Sequence, residues 1–213
     1  LSDLDDHEMA RAKSGNWWES HSYRSLANNS AVYATKPEMD VFMEEWLSIY
    51  RSYSGERGIF NREAAQSCSA EINRESDHYF GTNPCGEITL RPMQFCNLTE
   101  VVVRPDMGDD ELHRRVEIAS IIGTVQSMCT NFPYLRKAWK RNSEEERLLG
   151  VSLTGIQDNR ELMFNSFVLN AARQTAKKTN KKWAKKLGIE QSTAVTTVKP
   201  SGTVSCLVDS SSG

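Results

Sequence analysis

The chain has 213 residues, 38% of them hydrophobic, with 26 Lys and Arg against 28 Asp and Glu. That length suits one moderately sized domain, and a formal net charge of -2 is too small to steer it toward nucleic acid or an anionic membrane. No apolar run approaches the ~18–20 residues that span a bilayer, and the acidic start Leu1-Ser-Asp-Leu-Asp-Asp-His7 is unlike a signal peptide.

In chain order, the adjacent Trp17 and Trp18 read as a loop anchored in a core rather than a stacking platform. Thr35-Lys-Pro-Glu38 fits a capping box with Thr35 as N-cap, and predicts a helix to about Tyr53 that stops at Gly55. Its apolar positions, Val41, Phe42, Trp46, Leu47, Ile49 and Tyr50, predict a broad buried face. Asn61 caps a short helix to about Ser69. A strand is expected from Thr99 to Val103. Asp109 caps a long helix in which Leu112, Val116, Ala119, Ile122 and Val125 recur at helical spacing toward Cys129. Ser143-Glu-Glu-Glu146 reads as a second capping box opening a short helix before Gly150. Strands are expected over Val151 to Thr154 and Ala194 to Val198, separated by a helix from about Leu162 to Gly188. The paired lysines of Lys177–Lys186 read as one solvated face of that helix, better than as a nucleic-acid contact. Helices alternating with short buried strands predict an α/β fold. With no repeat or long linker, residues 1–213 read as a single partial domain. The Leu1 start and turn-like end, Asp209-Ser-Ser-Ser-Gly213, suggest truncation on both sides.

The densest chemistry lies in Asn83-Pro-Cys-Gly-Glu-Ile-Thr-Leu-Arg-Pro-Met-Gln-Phe-Cys96. In an extended backbone Cys85 and Glu87 project to the same side. A carboxylate there can take a proton from a substrate hydroxyl while the sulfur acts on the neighbouring carbon, with Asn83 orienting either. Cys96 adds a second sulfur suited to two-electron redox chemistry. A Pro-Gly turn with an incidental Cys and Glu fits the same residues. In Lys199-Pro-Ser-Gly-Thr-Val-Ser205, a strand runs into a loop where Gly202 admits a close anion and Ser201 and Thr203 offer hydroxyls. The Walker A spacing is absent, and an ordinary strand-to-helix turn is the competing reading. The five cysteines match no small disulfide framework, which points to a reducing, cytoplasmic setting. Neither the cysteines nor the four histidines fall at metal-ligand spacing, and no metal site is expected. Cys68 and Cys129 lie in helical patterns and read as small buried hydrophobes.

Asn83-Pro-Cys-Gly-Glu-Ile88 followed by Phe95-Cys-Asn-Leu98 resembles the finger-loop signature of ribonucleotide reductases, above all the adenosylcobalamin-dependent (class II) ribonucleoside-triphosphate reductases. Arg57–Arg62, Glu117–Gln126, Glu144–Gly155 and Lys199–Ser205 resemble the same family in the same order. The resemblance implies part of a ten-stranded α/β barrel with a central finger loop carrying the radical cysteine. Cys85 would be the thiyl-radical cysteine that removes the 3′ hydrogen of the ribose, Glu87 the base on the 3′ hydroxyl, and Asn83 an orienting residue. Cys96 would be one of two thiols that supply the reducing electrons. Ser201, Gly202, Thr203 and Val204 would bind the substrate phosphates. The implied cofactor is adenosylcobalamin, although no Gly-rich pattern for it occurs here. The implied partners are a ribonucleotide substrate, a nucleotide effector, a thioredoxin-like reductant and the remaining reductase segments, including a second redox cysteine expected upstream. The isolated chain is then expected to be inactive. A non-catalytic structural or assembly subunit of a split reductase is the alternative.

Overall fold

In the computed structural model, which describes residues 1–53 and 57–212, the β-branched and aromatic runs become short parallel strands closed by helical crossovers. The chain divides into two compact units, Leu1–Pro92 and Met93–Gly213.

In the first unit, short helices α1 (His7–Ala10) and α2 (Trp17–Ser20) lead into β1 (Ser30–Tyr33), α3 (Met39–Ser52) and β2 (Gly58–Asn61). β1 and β2 pair in parallel from Ser30 against Gly58 to Tyr33 against Asn61, which makes β1-α3-β2 a βαβ unit. α4 (Arg62–Glu71) follows at once, its first turn capped by the Asn61 side chain, which accepts from the Ala64 amide at 2.9 Å. The unit ends in an antiparallel hairpin of β3 (Gly81–Thr82) and β4 (Thr89–Leu90).

α3 departs from its sequence reading at two points. It starts at Met39 with Glu38 as N-cap and no side-chain cap, so Thr35 opens nothing. Pro37 disfavours helical backbone at the residue before it, which delays the start. The expected stop at Gly55 lies outside the described residues, and the helix gives way at Tyr53, whose φ is 51°. The expected buried face is also displaced. Met39, Met43, Trp46 and Tyr50, at steps of four, three and four, form a stripe between 44% and 70% exposed, with Val41 and Leu47 exposed as well. The buried position is Glu45, whose Oε1 meets Arg57 Nε at 2.8 Å. Arg57 Nη1 also donates to Ser2 Oγ at 3.0 Å, so this buried guanidinium ties the N-terminal segment to α3.

Tyr33, on the same side, is 6% exposed, and its hydroxyl has no hydrogen-bond partner among the described residues. Burial, aided by the charge of Glu45 and opposed by Arg57, raises its pKa above 10.0. The folded state therefore holds the phenolic proton more tightly than the unfolded state. That contribution to stability is full below pH 10.0 and lost as pH rises through the raised value. Tyr33→Phe should gain about 1 kcal/mol by removing an orphan hydroxyl. It should also reduce the alkaline loss of stability, read from urea unfolding midpoints across that pH range.

The second unit runs β5 (Asn97–Val102), α5 (Asp109–Gln126), α6 (Lys137–Glu146), β6 (Leu149–Thr154), α7 (Arg160–Met163), α8 (Ser166–Leu187) and α9 (Gly202–Leu207). β5 and β6 pair in parallel from Asn97 against Leu149 to Val102 against Thr154. The strand expected at Ala194–Val198 is reduced to a parallel bridge of Thr196 to Val151, continued by the Thr197 amide donating to the Val151 carbonyl. α5 and α8 pack together, and Val101, Leu112, Val116, Val151, Ala172 and Ala176 belong to one core. On α5, Ile122 and Val125 are exposed, while Ser120 and Thr124 are fully buried. These hydroxyls donate to carbonyls one turn back, Ser120 to Val116 at 2.7 Å and Thr124 to Ser120 at 2.6 Å, so each enters the core already satisfied. α8 ends at Gly188 as expected, in the left-handed conformation (φ 67°), and the lysines of its last turns are exposed.

Several other expectations are corrected. Ser143–Glu146 is the last turn of α6, whose N-cap is Arg136, and Arg147 closes that helix at φ 42°. Trp18 is 55% exposed and stacks edge-on against a half-buried Trp17, so the pair anchors no core. Cys68 and Cys129 are exposed. The ten-stranded barrel is absent: the described residues form three two-stranded sheets, none closed into a barrel. Each parallel pair spends a full helical crossover on joining only two strands.

Candidate active site

Cys85 sits at the tip of the β3–β4 hairpin. The Asn83 amide donates to the Ile88 carbonyl at 3.2 Å, and the Ile88 amide donates to Asn83 Oδ1 at 3.0 Å. Thr82 Oγ1 adds a bond to the Ile88 carbonyl at 3.0 Å. Within that frame the Gly86 amide donates to the Asn83 carbonyl at 3.1 Å, closing a β-turn with Pro84 and Cys85 at its centre. Pro84 supplies the fixed φ that the first central position prefers. Gly86 follows at φ 84°, where a side chain is strained even though a Cβ would meet nothing within 4 Å. Gly86→Ala should therefore cost about 1–2 kcal/mol through backbone conformation alone, measured as a lower urea midpoint.

The turn leaves Cys85 exposed, while both carboxylate oxygens of Glu87 are shielded from solvent. The Asn83 side-chain oxygen staples the loop by accepting the Ile88 amide. Beside Cys85 lies an open cavity of about 270 Å³, lined by Asn28, Ser30, Phe60, Thr82, Pro84 and Cys85 among others. Asn28 donates from Nδ2 to the Pro84 carbonyl. The base of the hairpin is held by two buried guanidinium groups. Arg62 Nε donates to the Phe80 carbonyl at 2.8 Å and Arg74 Nη1 to the Thr89 carbonyl at 2.9 Å. They lie 3.6 Å from the Tyr79 ring and 4.7 Å from the Phe80 ring, respectively. Sequence reasoning missed Asn28, Arg62 and Arg74 as supports. The only signal available was that Arg62 closes one of the collinear motifs.

Cys96 belongs to the second unit and is half-buried at the entry to β5. Its neighbours are fixed on both sides. Gln94 is buried and donates to the Asn142 carbonyl at 3.2 Å and to the Glu146 carboxylate. The Phe95 ring lies 4.5 Å from Trp139 and 5.1 Å from Phe132, and Asn97 Nδ2 donates to the Leu148 carbonyl at 3.0 Å.

The Lys199–Ser205 segment is tied to β6 by the Lys199 amide, which donates to Ser152 Oγ at 2.9 Å. A helix does begin at Gly202. Ser201 is 2% exposed at φ 56°, and its hydroxyl donates back to the Lys199 carbonyl at 3.3 Å. Gly202 and Thr203 are exposed, and Val204 is half-buried.

Sequence relatives bear on what these groups do. The adenosylcobalamin-dependent ribonucleoside-triphosphate reductase of Lactobacillus leichmannii is 29% identical over 195 residues, covering 75% of this chain and 26% of that protein. The protein of the same description from Lacticaseibacillus paracasei is 27% identical over 245 residues, covering all of this chain and 32% of that one. A crystal structure of a B12-dependent (class II) ribonucleotide reductase matches the fold with a TM-score of 0.75 at 24% identity, over 98% of this chain and 33% of that one. No family model matches the chain. In sequence and in fold the chain is similar to part of a ribonucleotide reductase. More narrowly, the sequence similarity is to the adenosylcobalamin-dependent (class II) family, and the chain spans about a quarter to a third of the length of the relatives it matches.

The cavity beside Cys85 does not make a site for the whole cofactor. The cavity beside Cys85, at about 270 Å³, falls short of the ~300–1,000 Å³ that holds a drug-sized ligand, and a corrin with its nucleotide is larger still. Among the described residues no group of three or more His, Cys, Asp or Glu is placed to hold a metal ion, and no helix is long and apolar enough to cross a membrane.

Proposed function

We propose that this chain carries the ribose-reducing residues of a ribonucleotide reductase acting on ribonucleoside triphosphates. The observation that carries this reading is the hairpin itself: an exposed sulfur held at the tip of a turn, with a solvent-shielded carboxylate two residues on. A thiyl radical on Cys85 takes the 3′ hydrogen atom of the ribose, and Glu87 accepts the proton of the 3′ hydroxyl as the 2′ hydroxyl leaves as water. Cys96 and a second thiol supply two electrons and two protons and become a disulfide, and Cys85 returns the hydrogen atom to the 3′ carbon. The sum is one ribonucleotide and two thiols giving one deoxyribonucleotide, one disulfide and one water. A thioredoxin-like dithiol then reduces the disulfide.

In this reading the backbone N–H groups of the Gly202–Val204 loop, with the Thr203 hydroxyl, receive the substrate phosphates. Ser201 serves by fixing the loop. Adenosylcobalamin, named for the relatives, is the assigned source of the radical, and its site needs residues beyond those described. The test is deoxyribonucleotide formation by this chain assembled with complementary reductase segments, adenosylcobalamin and a dithiol. Full activity of the same assembly with Cys85→Ala would overturn the proposal and leave the chain a structural subunit.

A further inference from the structure

The bond from Asn28 to the Pro84 carbonyl acts on the one peptide plane that sets the direction of the Cys85 thiol. In a β-turn the two central residues share a peptide group, here the Pro84 carbonyl and the Cys85 amide. Type I and type II turns differ by a flip of that group. Cys85 is not among the residues of positive φ, as a type I turn requires, whereas the flipped form demands positive φ at the same position. The turn's own bond, from the Gly86 amide to the Asn83 carbonyl, is common to both forms and selects neither. A donor on the Pro84 oxygen is what distinguishes them, because a flip carries that oxygen to the opposite face.

Asn28 is built to stay in place. The Ala27 carbonyl accepts from Lys13 Nζ at 2.5 Å, and the buried Asn29 donates from Nδ2 to the Met9 carbonyl at 2.6 Å. The Asn29 carbonyl takes the Gly58 amide at 2.8 Å. With both neighbours committed and the chain passing directly into β1, Asn28 is left facing the cavity beside Cys85.

We propose that Asn28 is a positioning residue that locks the Pro84–Cys85 peptide plane and so aims the Cys85 sulfur. The inference rests on the reading of Cys85 as the radical cysteine for its catalytic meaning, and not for its structural one. Two variants separate donation from shape: Asn28→Ala removes the amide, and Asn28→Asp keeps its outline while placing an acceptor against a carbonyl. In the full 213-residue chain, both should strengthen the NOE between Pro84 Hα and the Cys85 amide, which the flipped turn brings together and the type I turn holds apart, leaving hydrogen exchange at Val32 and Phe60 in β1 and β2 as before. In the assembled reductase, Asn28→Asp should lower kcat by about 10- to 100-fold with KM little changed, as expected when a reacting group is misaimed. An unchanged Pro84 Hα to Cys85 amide NOE, or a loss of exchange protection across β1 and β2, would overturn the proposal. So would an unchanged kcat in an assembly that Cys85→Ala inactivates. Survival of activity in Cys85→Ala would instead overturn the proposed function, and the NOE measurement would still decide the role of Asn28.

Discussion

Cys85→Ala in the assembled reductase should lower deoxyribonucleotide formation by about 10⁴-fold or more, the scale on which removal of an indispensable reacting group acts. The reason lies in how the proposed reaction divides the labour among Cys85, Glu87 and Cys96. Hydrogen-atom abstraction at the 3′ carbon and its return need only the Cys85 sulfur. Loss of the 2′ hydroxyl needs a base, and net reduction needs two further thiols. Three substitutions should then fail at three different points. Cys85→Ala stops both product formation and exchange of a 3′ tritium label. Glu87→Gln slows product formation by about 10²- to 10⁴-fold, the usual worth of a positioned base, and leaves 3′ exchange in place. Cys96→Ser stops product while 3′ exchange persists, because the abstraction step is reversible and draws no electrons from Cys96. If Cys96→Ser also abolished exchange, the assignment of Cys96 as electron donor would give way to a role in holding the site.

The largest expected effect on stability lies at the Glu45–Arg57 pair. Both residues are buried, at 7% and 4% exposure, and their side chains meet at 2.8 Å. Arg57→Met leaves the Glu45 carboxylate facing α3's packing surface without its guanidinium, and should cost about 3–5 kcal/mol. The double change Glu45→Met with Arg57→Met removes both charges, and should recover most of that loss, because the pair's attraction mainly offsets its own desolvation. Urea midpoints of the two single variants and the double variant check this. A single variant within about 0.5 kcal/mol of the parent, the range of ordinary surface changes, would refute it. Since Arg57 also reaches Ser2 Oγ, the single variant should release the bridge between Ser2 and Ala31 as well.

What the sequence disclosed and what it concealed divide by distance along the chain. Asn61 capping α4, Gly188 ending α8 and the Pro84-Cys85-Gly86 turn are local events, decided by residues within a few positions of one another, and each was readable. The two capping boxes failed for non-local reasons. Ser143 and Glu146 have the right spacing to open a helix, but the Glu146 carboxylate is engaged by Gln94, 52 positions away, and the pair closes α6 instead. On α5 the helical period was right, yet the buried face drifts onto Ser120 and Thr124, whose hydroxyls are hidden from any scale that counts them as polar. The supports of the Cys85 hairpin were unreadable for the same reason. Asn28, Arg62 and Arg74 act on carbonyls 56, 18 and 15 positions away, and a backbone carbonyl carries no residue identity by which a sequence could announce it. The barrel expectation belonged to the resemblance, and the six short strands among the described residues do not realise it.

The stripe of Met39, Met43, Trp46 and Tyr50 on α3 bears on how this chain behaves in a tube. Large apolar side chains in an unbroken row on one helix are adhesive in water, and soluble monomers seldom leave such a row uncovered. The isolated 213 residues should be well behaved only when dilute. As concentration rises, light scattering should increase and unfolding midpoints should drift before any chemistry at Cys85 is touched.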